Sequence, residues 1–324
     1  MNNELPAHLQ LANMSRAYVV SRAIHAVARL GVADYMSEGP TSIEKLAAST
    51  STIPELLDRV LSFLSDYGVF LKTDSGYCLT SLSHPLQQNH PESMKHVISM
   101  VDETWWQAFS NLEDGLKTGV TPFIRQHNTD FFSLINSNGE RKDQFKQGMD
   151  KLSAIDDRAI IASYPFSQFN SIVDIGYGRE HLIHELKQSN PDLITSTFKI
   201  DPHQTNRVNT VNWSNLQKAE AYVLKGILHD FNDETTKRLL ISLYKEIPKE
   251  STLLIAEQAI PESNMPHTNK TMDIIMMVLV GGKQRTVKKW VELISDTGFH
   301  FLNAYPSQGL FTIMEFSCKS IGVK

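Results

Sequence analysis

Small or apolar residues recur at spacings of three and four from position 9 to position 30: Leu11, Met14, Ala17, Tyr18, Ser21, Ile24, Val27 and Ala28. That period predicts one amphipathic helix, and Gly31 ends it. Thr41-Ser42-Ile43-Glu44 and Thr52-Ile53-Pro54-Glu55 both read as capping boxes, each opening a further helix. The second of these helices places Leu56, Val60, Phe63 and Leu64 on one face and closes at Gly68. Short runs at 69–71 and 77–80 flank the turn Thr73-Asp74-Ser75-Gly76 and predict a hairpin. Three helices followed by a hairpin is the order of a winged helix. From 96 to 164 the pattern is helical again, with Trp105, Trp106, Phe109, Phe131 and Phe132 as aromatic patches. Breaks fall at Gly119-Val120-Thr121-Pro122 and Asn136-Ser137-Asn138-Gly139. A helix over 144–161 carries Phe145, Met149 and Ser153.

The period then changes. An apolar strand over 171–176 runs into the turn Tyr177-Gly178-Arg179-Glu180, a helix over 181–188 and a strand over 198–201 ending in Asp201. The apolar run Tyr222-Val223-Leu224 predicts a buried strand, and the loop beyond it carries His229 and Asp230. A helix opens at Asn232 with Asp233 and Glu234 in its first turn. After it come a strand over 252–256 with Glu257 at its end and a methionine-rich helix over 271–280. The turn Gly281 to Thr286 and a helix over 287–297 follow. A last strand over 311–316 pairs antiparallel with one near Phe301. The predicted fold class is α/β: a Rossmann-like, doubly wound, mostly parallel sheet with an N-terminal all-α/winged-helix domain. The expected divisions are a winged-helix domain over 1–95, a helical linker or substrate lid over 96–164 and the sheet domain over 165–324.

Composition narrows the function. The 324 residues are 41% hydrophobic and 21% charged, with a net charge of -5, which is globular and argues against a broad nucleic-acid surface. Over 1–95, seven Lys or Arg stand against nine acids, so the winged helix is expected to dimerise or to cover a substrate. It lacks the unopposed cations a phosphate backbone needs. No apolar run has the roughly 18 residues of a membrane span. Cys78 and Cys318, far apart in sequence, suit a reducing cytoplasm.

Strand, glycine turn, helix and strand ending in an acid is the first half of a nucleotide-binding sheet. Gly176 and Gly178 allow close backbone approach there, and Asp201 is available to ribose hydroxyls. His229, at the carboxyl end of a parallel strand, stands where such sheets bind ligands.

These residues resemble a known family: the S-adenosylmethionine-dependent O-methyltransferases of the caffeate and acetylserotonin type, with their bacterial small-molecule relatives. The resemblance spans nearly the whole chain. It rests on Leu30-Gly31-Val32-Ala33-Asp34, Val173-Asp174-Ile175-Gly176, the stretch Val223 to Asp233, Ala256-Glu257 and Gly281-Gly282-Lys283-Gln284-Arg285-Thr286. It implies a homodimer formed through the N-terminal domain, with no metal, nucleic-acid or membrane partner. His229 would act as general base toward the hydroxyl of a small aromatic or polyketide-like substrate, with Glu257 orienting it and Asp230 beside it. Gly176, Gly178, Asp201, Asn212, Lys225, Met149 and Ser153 would surround S-adenosylmethionine.

The sequence also departs from the family. The family's third glycine is absent from the turn, which instead holds Arg179 and Glu180. The twenty residues from Asp201 to Ala221 leave little room for a crossover helix, Thr210-Val211-Asn212 stands in for an adenine-reading Gly-Asp, and Gln284 replaces a second acid flanking the histidine. These departures keep a second reading open: an enzyme on the same scaffold that performs pericyclic, hydroxylating or other acid–base chemistry without methylating.

Overall fold

A computed structural model describes residues 5–36, 39–178, 180–200 and 211–319. The chain forms two compact units, Met1–Asp102 with Asp143–Leu152, and Glu103–Lys142 with Ser153–Lys324.

In the first unit, α1 (Ala7–Ser15), α2 (Tyr18–Arg29), α3 (Ile43–Thr50) and α4 (Pro54–Asp66) precede the hairpin of β1 (Phe70–Thr73) and β2 (Gly76–Leu79), and α5 (Lys95–Ser99) follows. Val27, Leu46, Leu57, Leu61, Leu64, Phe70 and Tyr77 form its core. The single helix expected over 9–30 is two. The N–H groups of Arg16 and Ala17 bond three residues back, to Asn13 and Met14. That tightened turn interrupts the α-helical ladder. Only α2 buries residues, Val27 and Ala28, while α1 buries none. Both expected capping boxes are corrected. Ser42, one residue later than expected, caps α3 by accepting from the Lys45 N–H, and Thr41 pairs its backbone with Tyr77. Ile53 precedes α4 without any side-chain cap, and Pro54 opens that helix at a position where no N–H is required.

The second unit contains α6 (Glu103–Phe109), α7 (Leu112–Thr118), α8 (Pro122–His127) and α9 (Phe131–Asn136). The long α10 (Gly139–Ser163) belongs to it from Ser153 onward. Then come β3 (Ser171–Gly176), α11 (His181–Ser189), β4 (Ile194–Lys199), β5 (Ala221–Lys225), α12 (Asp233–Glu246) and β6 (Thr252–Glu257). The order closes with α13 (Thr268–Leu279), α14 (Val287–Ser295), β7 (His300–Pro306) and β8 (Thr312–Ser317). The sheet order is β4-β3-β5-β6-β8-β7. The first four strands are parallel, and β8 runs antiparallel to both neighbours. Alternate residues feed two cores, as a two-sided buried sheet requires. Val173, Ile175, Tyr222, Leu224, Leu253 and Ile255 enter one; Ile172, Ala221, Val223, Leu254 and Ala256 enter the other.

The strand expected at 198–201 instead spans Ile194–Lys199. Thr195, Ser196 and Thr197 obscured it: as an edge strand, half-buried at most, it carries polar residues that an apolar-run criterion rejects. Asp201 and 202–210, on which the shortened crossover was argued, lie outside the described residues. Residues 211–220 hold a turn at Ser214-Asn215 and no helix. Strand order reverses between β3 and β5, so their carboxyl ends form the crevice where doubly wound sheets bind ligands.

Candidate active site

At the end of β5 the chain turns through Gly226, whose φ of 59° is left-handed, into the short 3-10 turn Leu228–Asp230. Glu257, at the end of the neighbouring β6, is 0% exposed. Its Oε1 accepts from the backbone N–H groups of Ile227 (3.1 Å), Leu228 (2.8 Å) and His229 (3.3 Å). Its Oε2 lies 2.6 Å from His229 Nδ1. With three peptide donors and the ring around one carboxylate, Nδ1 is the donor nitrogen. The proton-accepting lone pair therefore falls on Nε2. Asn232 accepts from the Thr235 N–H and starts α12, with Asp233 and Glu234 in its first turn.

Asp230 is 9% exposed and places Oδ1 3.4 Å from His229 Nε2. Its Oδ2 accepts from the Tyr177 hydroxyl at 2.8 Å. Tyr177 in turn begins a series of aromatic contacts. Its ring centroid is 5.9 Å from that of Phe132, Phe132 lies edge-on to Phe131 at 5.3 Å, and Phe131 meets Trp105 and Phe123 at 5.3 Å each. Trp105 of the first predicted patch and Phe131 and Phe132 of the second thus form one continuous series of ring contacts that reaches the histidine's neighbour.

The turn after α13 braces the histidine from behind. The Lys283 N–H donates to the His229 carbonyl at 2.7 Å, and any side chain at Gly282 would collide with that carbonyl. Arg285, 2% exposed, donates to the Phe231 carbonyl at 3.0 Å and to Asp233 Oδ1 at 2.5 and 2.8 Å. Its guanidinium lies 4.4 Å from the Trp290 ring centroid. Gln284 is 2% exposed, and among the described residues neither polar atom of its carboxamide has a hydrogen-bond partner.

On the other side of the crevice, β3 ends at Gly176, and Gly178 takes a φ of 81°. Lys225 Nζ donates to Asp157 Oδ1 at 2.5 Å and to the Ser153 carbonyl at 3.5 Å. Asp157 also accepts from His181 Nδ1 at 2.9 Å. Burial pushes the Asp174 carboxyl up to about 7, with the Asp157 charge adding to it. Burial likewise pushes Asp156 up to about 6, against the pull of Lys225. Three acids around one lysine leave the strand ends short of positive charge. A ligand bearing a sulfonium and an ammonium supplies it, so these residues fit S-adenosylmethionine.

The structure therefore brings His229, Glu257 and Asp230 together, and gathers Gly176, Gly178, Lys225 and Ser153 around the strand ends. Asp201 lies outside the described residues. Met149 belongs to the first unit. Asn212 is exposed and spends its Oδ1 on the Ser214 N–H at 3.0 Å. Asp156, Asp157, Asp174, Tyr177 and His181 were not anticipated. The adjacent acids of α10, two residues ahead of the apolar Ala159-Ile160-Ile161, were the available signal for the first two.

Comparison with known proteins bears on the family and the fold. The profile of the O-methyltransferase domain matches residues 109–300, and that of the O-methyltransferase dimerisation domain matches 12–89. The chain is 28% identical to the phenazine O-methyltransferase PhzM of Lysobacter antibioticus over 96% of each chain. It is 26% identical to the mitomycin biosynthesis 6-O-methyltransferase of Streptomyces lavendulae, over 88% of this chain and 87% of that one. The crystal structure of LaPhzM superposes with a TM-score of 0.84 at 26% identity, covering 97% of this chain and 99% of that one. Human N-acetylserotonin methyltransferase shares the fold, with a TM-score of 0.86 at 20% identity over 99% and 100% of the two chains. The chain belongs to the O-methyltransferase family, with that family's dimerisation domain at its N-terminal side.

Proposed function

We propose that the protein transfers a methyl group from S-adenosylmethionine to a hydroxyl of a small, planar aromatic metabolite, with His229 as general base. The observation that carries this reading is the 2.6 Å contact between His229 Nδ1 and Glu257 Oε2 at the rim of a parallel sheet. Bound S-adenosylmethionine supplies an electrophilic methyl on a sulfonium. Gly176, Gly178, Lys225, Ser153 and the carboxyls of Asp156 and Asp174 would hold it, and Asp201, outside the described residues, is proposed for its ribose.

The protein's own task is to make the acceptor oxygen nucleophilic and to align it. A phenol near pKa 10 gives up its proton to an imidazole near 6.5 at a cost of roughly 5 kcal/mol. Glu257 lowers that cost, because its charge stabilises the imidazolium formed when Nε2 takes the proton. The half-buried rings of Tyr177, Phe132 and Trp105, backed by the buried Phe131, offer faces and edges to a flat substrate. The relatives named for phenazine and mitomycin support a fused-ring acceptor.

Residues 1–95 are proposed to form a homodimer, 96–164 to cover the substrate and to lend Ser153 and Asp156 to the cofactor, and 165–324 to hold the rest of the cofactor. Exposed Leu9, Leu11, Met14 and Tyr18 give the first segment an apolar surface. No helix among the described residues is long and apolar enough to cross a membrane. The free cysteines Cys78 and Cys318 suit the cytoplasm as the proposed compartment.

Incubation with methyl-labelled S-adenosylmethionine and a panel of hydroxylated phenazines, quinones and naphthoates tests the reading. Label should appear in an ether product, and His229→Ala should lower turnover by about 10²–10⁴-fold while cofactor binding persists. Absence of both cofactor binding and label transfer in the unmodified protein removes it.

A further inference from the structure

Tyr177 belongs to the glycine turn, between Gly176 and Gly178, yet its hydroxyl reaches across the crevice to the histidine's neighbour. It donates to Asp230 Oδ2 at 2.8 Å, and the other oxygen of that carboxylate stands 3.4 Å from His229 Nε2. Nε2 is the nitrogen the substrate proton must reach. Each ring nitrogen is therefore faced by a carboxylate, Glu257 from β6 and Asp230 from the 3-10 turn. The two carboxylates are held differently. Glu257 is fixed by three peptide N–H groups of its own site. Asp230 takes a hydroxyl from the opposite strand end, on the segment proposed above to seat the cofactor.

From this arrangement we infer that Tyr177 is a positioning residue that ties the cofactor turn to the general base through Asp230. The inference rests on the reading of His229 as the base and of the glycine turn as the cofactor's seat. A charge-assisted hydrogen bond is directional and short. A displacement of the turn on cofactor binding would pass through this bond to Asp230 and change how close its charge lies to Nε2. A carboxylate nearer that nitrogen raises its proton affinity and competes with the substrate hydroxyl for it; one held off leaves the lone pair to the substrate. The occupied turn thus sets the histidine to accept a proton. The Phe132 ring packs against the Tyr177 ring with 5.9 Å between centroids.

The test is a titration of the His229 imidazole by nitrogen-15 NMR in the full chain, with and without adenosylhomocysteine. The resonance is assigned by its absence in His229→Gln. In the unmodified protein the ligand should change the ring's proton affinity by at least about threefold. Tyr177→Phe should abolish most of that change while keeping the dissociation constant for adenosylhomocysteine within about threefold. It should also lower kcat/KM about tenfold, the size of one charge-assisted hydrogen bond. Asp230→Asn should do the same, and the double variant should add nothing further, as residues acting in series require. A full ligand-dependent change surviving in Tyr177→Phe, or none in the unmodified protein, overturns the inference. Failure of adenosylhomocysteine to bind at all is a different result and sinks the function proposed above, and this inference with it.

Discussion

Glu257 holds His229 twice: Oε2 takes the ring at Nδ1 (2.6 Å) and Oε1 takes the same residue's backbone N–H (3.3 Å). The second contact is shared with Ile227 and Leu228, so one carboxylate closes the turn and orients the imidazole on it. Orientation of the ring and formation of its loop are consequently one event.

Replacing Glu257 by Gln tests that double role. A carboxamide offers one acceptor oxygen where the site uses two, and its NH₂ faces either the ring or the peptide donors. Turnover should fall by about 10²-fold or more. Unfolding free energy should fall by about 1–3 kcal/mol from unmet buried donors. Steady-state kinetics together with urea melts measure both; turnover within twofold of the unmodified enzyme would show that the carboxylate does not serve the ring.

Cofactor affinity should depend on pH through Asp174 and Asp156. Their carboxyls, raised to about 7 and about 6 by burial, keep their protons to well above the usual carboxylate range in the free protein. A cationic ligand favours the ionised forms, so affinity for S-adenosylmethionine rises as pH climbs from about 5 to about 8, with proton release on binding near pH 6.5. The folded free protein holds more protons than the unfolded chain between about pH 4 and pH 7. These two groups therefore lower its stability as pH rises through that window. Calorimetry in two buffers of different ionisation enthalpy reads the proton release, and pH-independent affinity would contradict the placement of the cofactor beside these acids.

Gly282→Ala should damage the site from behind. Its added carbon would overlap the His229 carbonyl and approach the Asp230 backbone. The turn must shift, and with it the ring. Loss of turnover by at least about tenfold, with a lower melting temperature, is expected; an unaffected kcat would mean the histidine's placement tolerates that displacement.

Leu11 and Met14 are 68% and 73% exposed on α1. Replacing both by Asp should leave each protomer folded, since neither is buried in it, and should halve the mass measured by light scattering if this face joins two copies. A dimer that survives the double substitution places its interface elsewhere.

Much of the site could be read in the sequence because strand ends announce themselves. The buried runs of β5 and β6 are apolar on both faces, so His229 and Glu257 were fixed as rim residues by where the runs stop. Parallel neighbours then place those rims side by side. β4 was misplaced because an edge strand needs no apolar run. The pairing of Lys225 with the acids at Asp156 and Asp157 escaped notice for another reason. It joins a helix to a strand 68 residues away in sequence, and no local period reports a contact of that range. Tyr177 was visible only as a residue in a glycine turn; its reach to Asp230 is a matter of rotamer, which spacing does not encode.

The position of β8 has a consequence for how this enzyme comes into being. The strand carrying Glu257 is hydrogen-bonded along its length to Thr312–Ser317, and Glu257 itself is paired with Thr312. A nascent polypeptide that has passed the histidine and the glutamate still lacks the partner that pins the latter's strand. Translation products that stop between Glu257 and Thr312 would therefore carry His229 and Glu257 without the strand that pairs with β6 along its length.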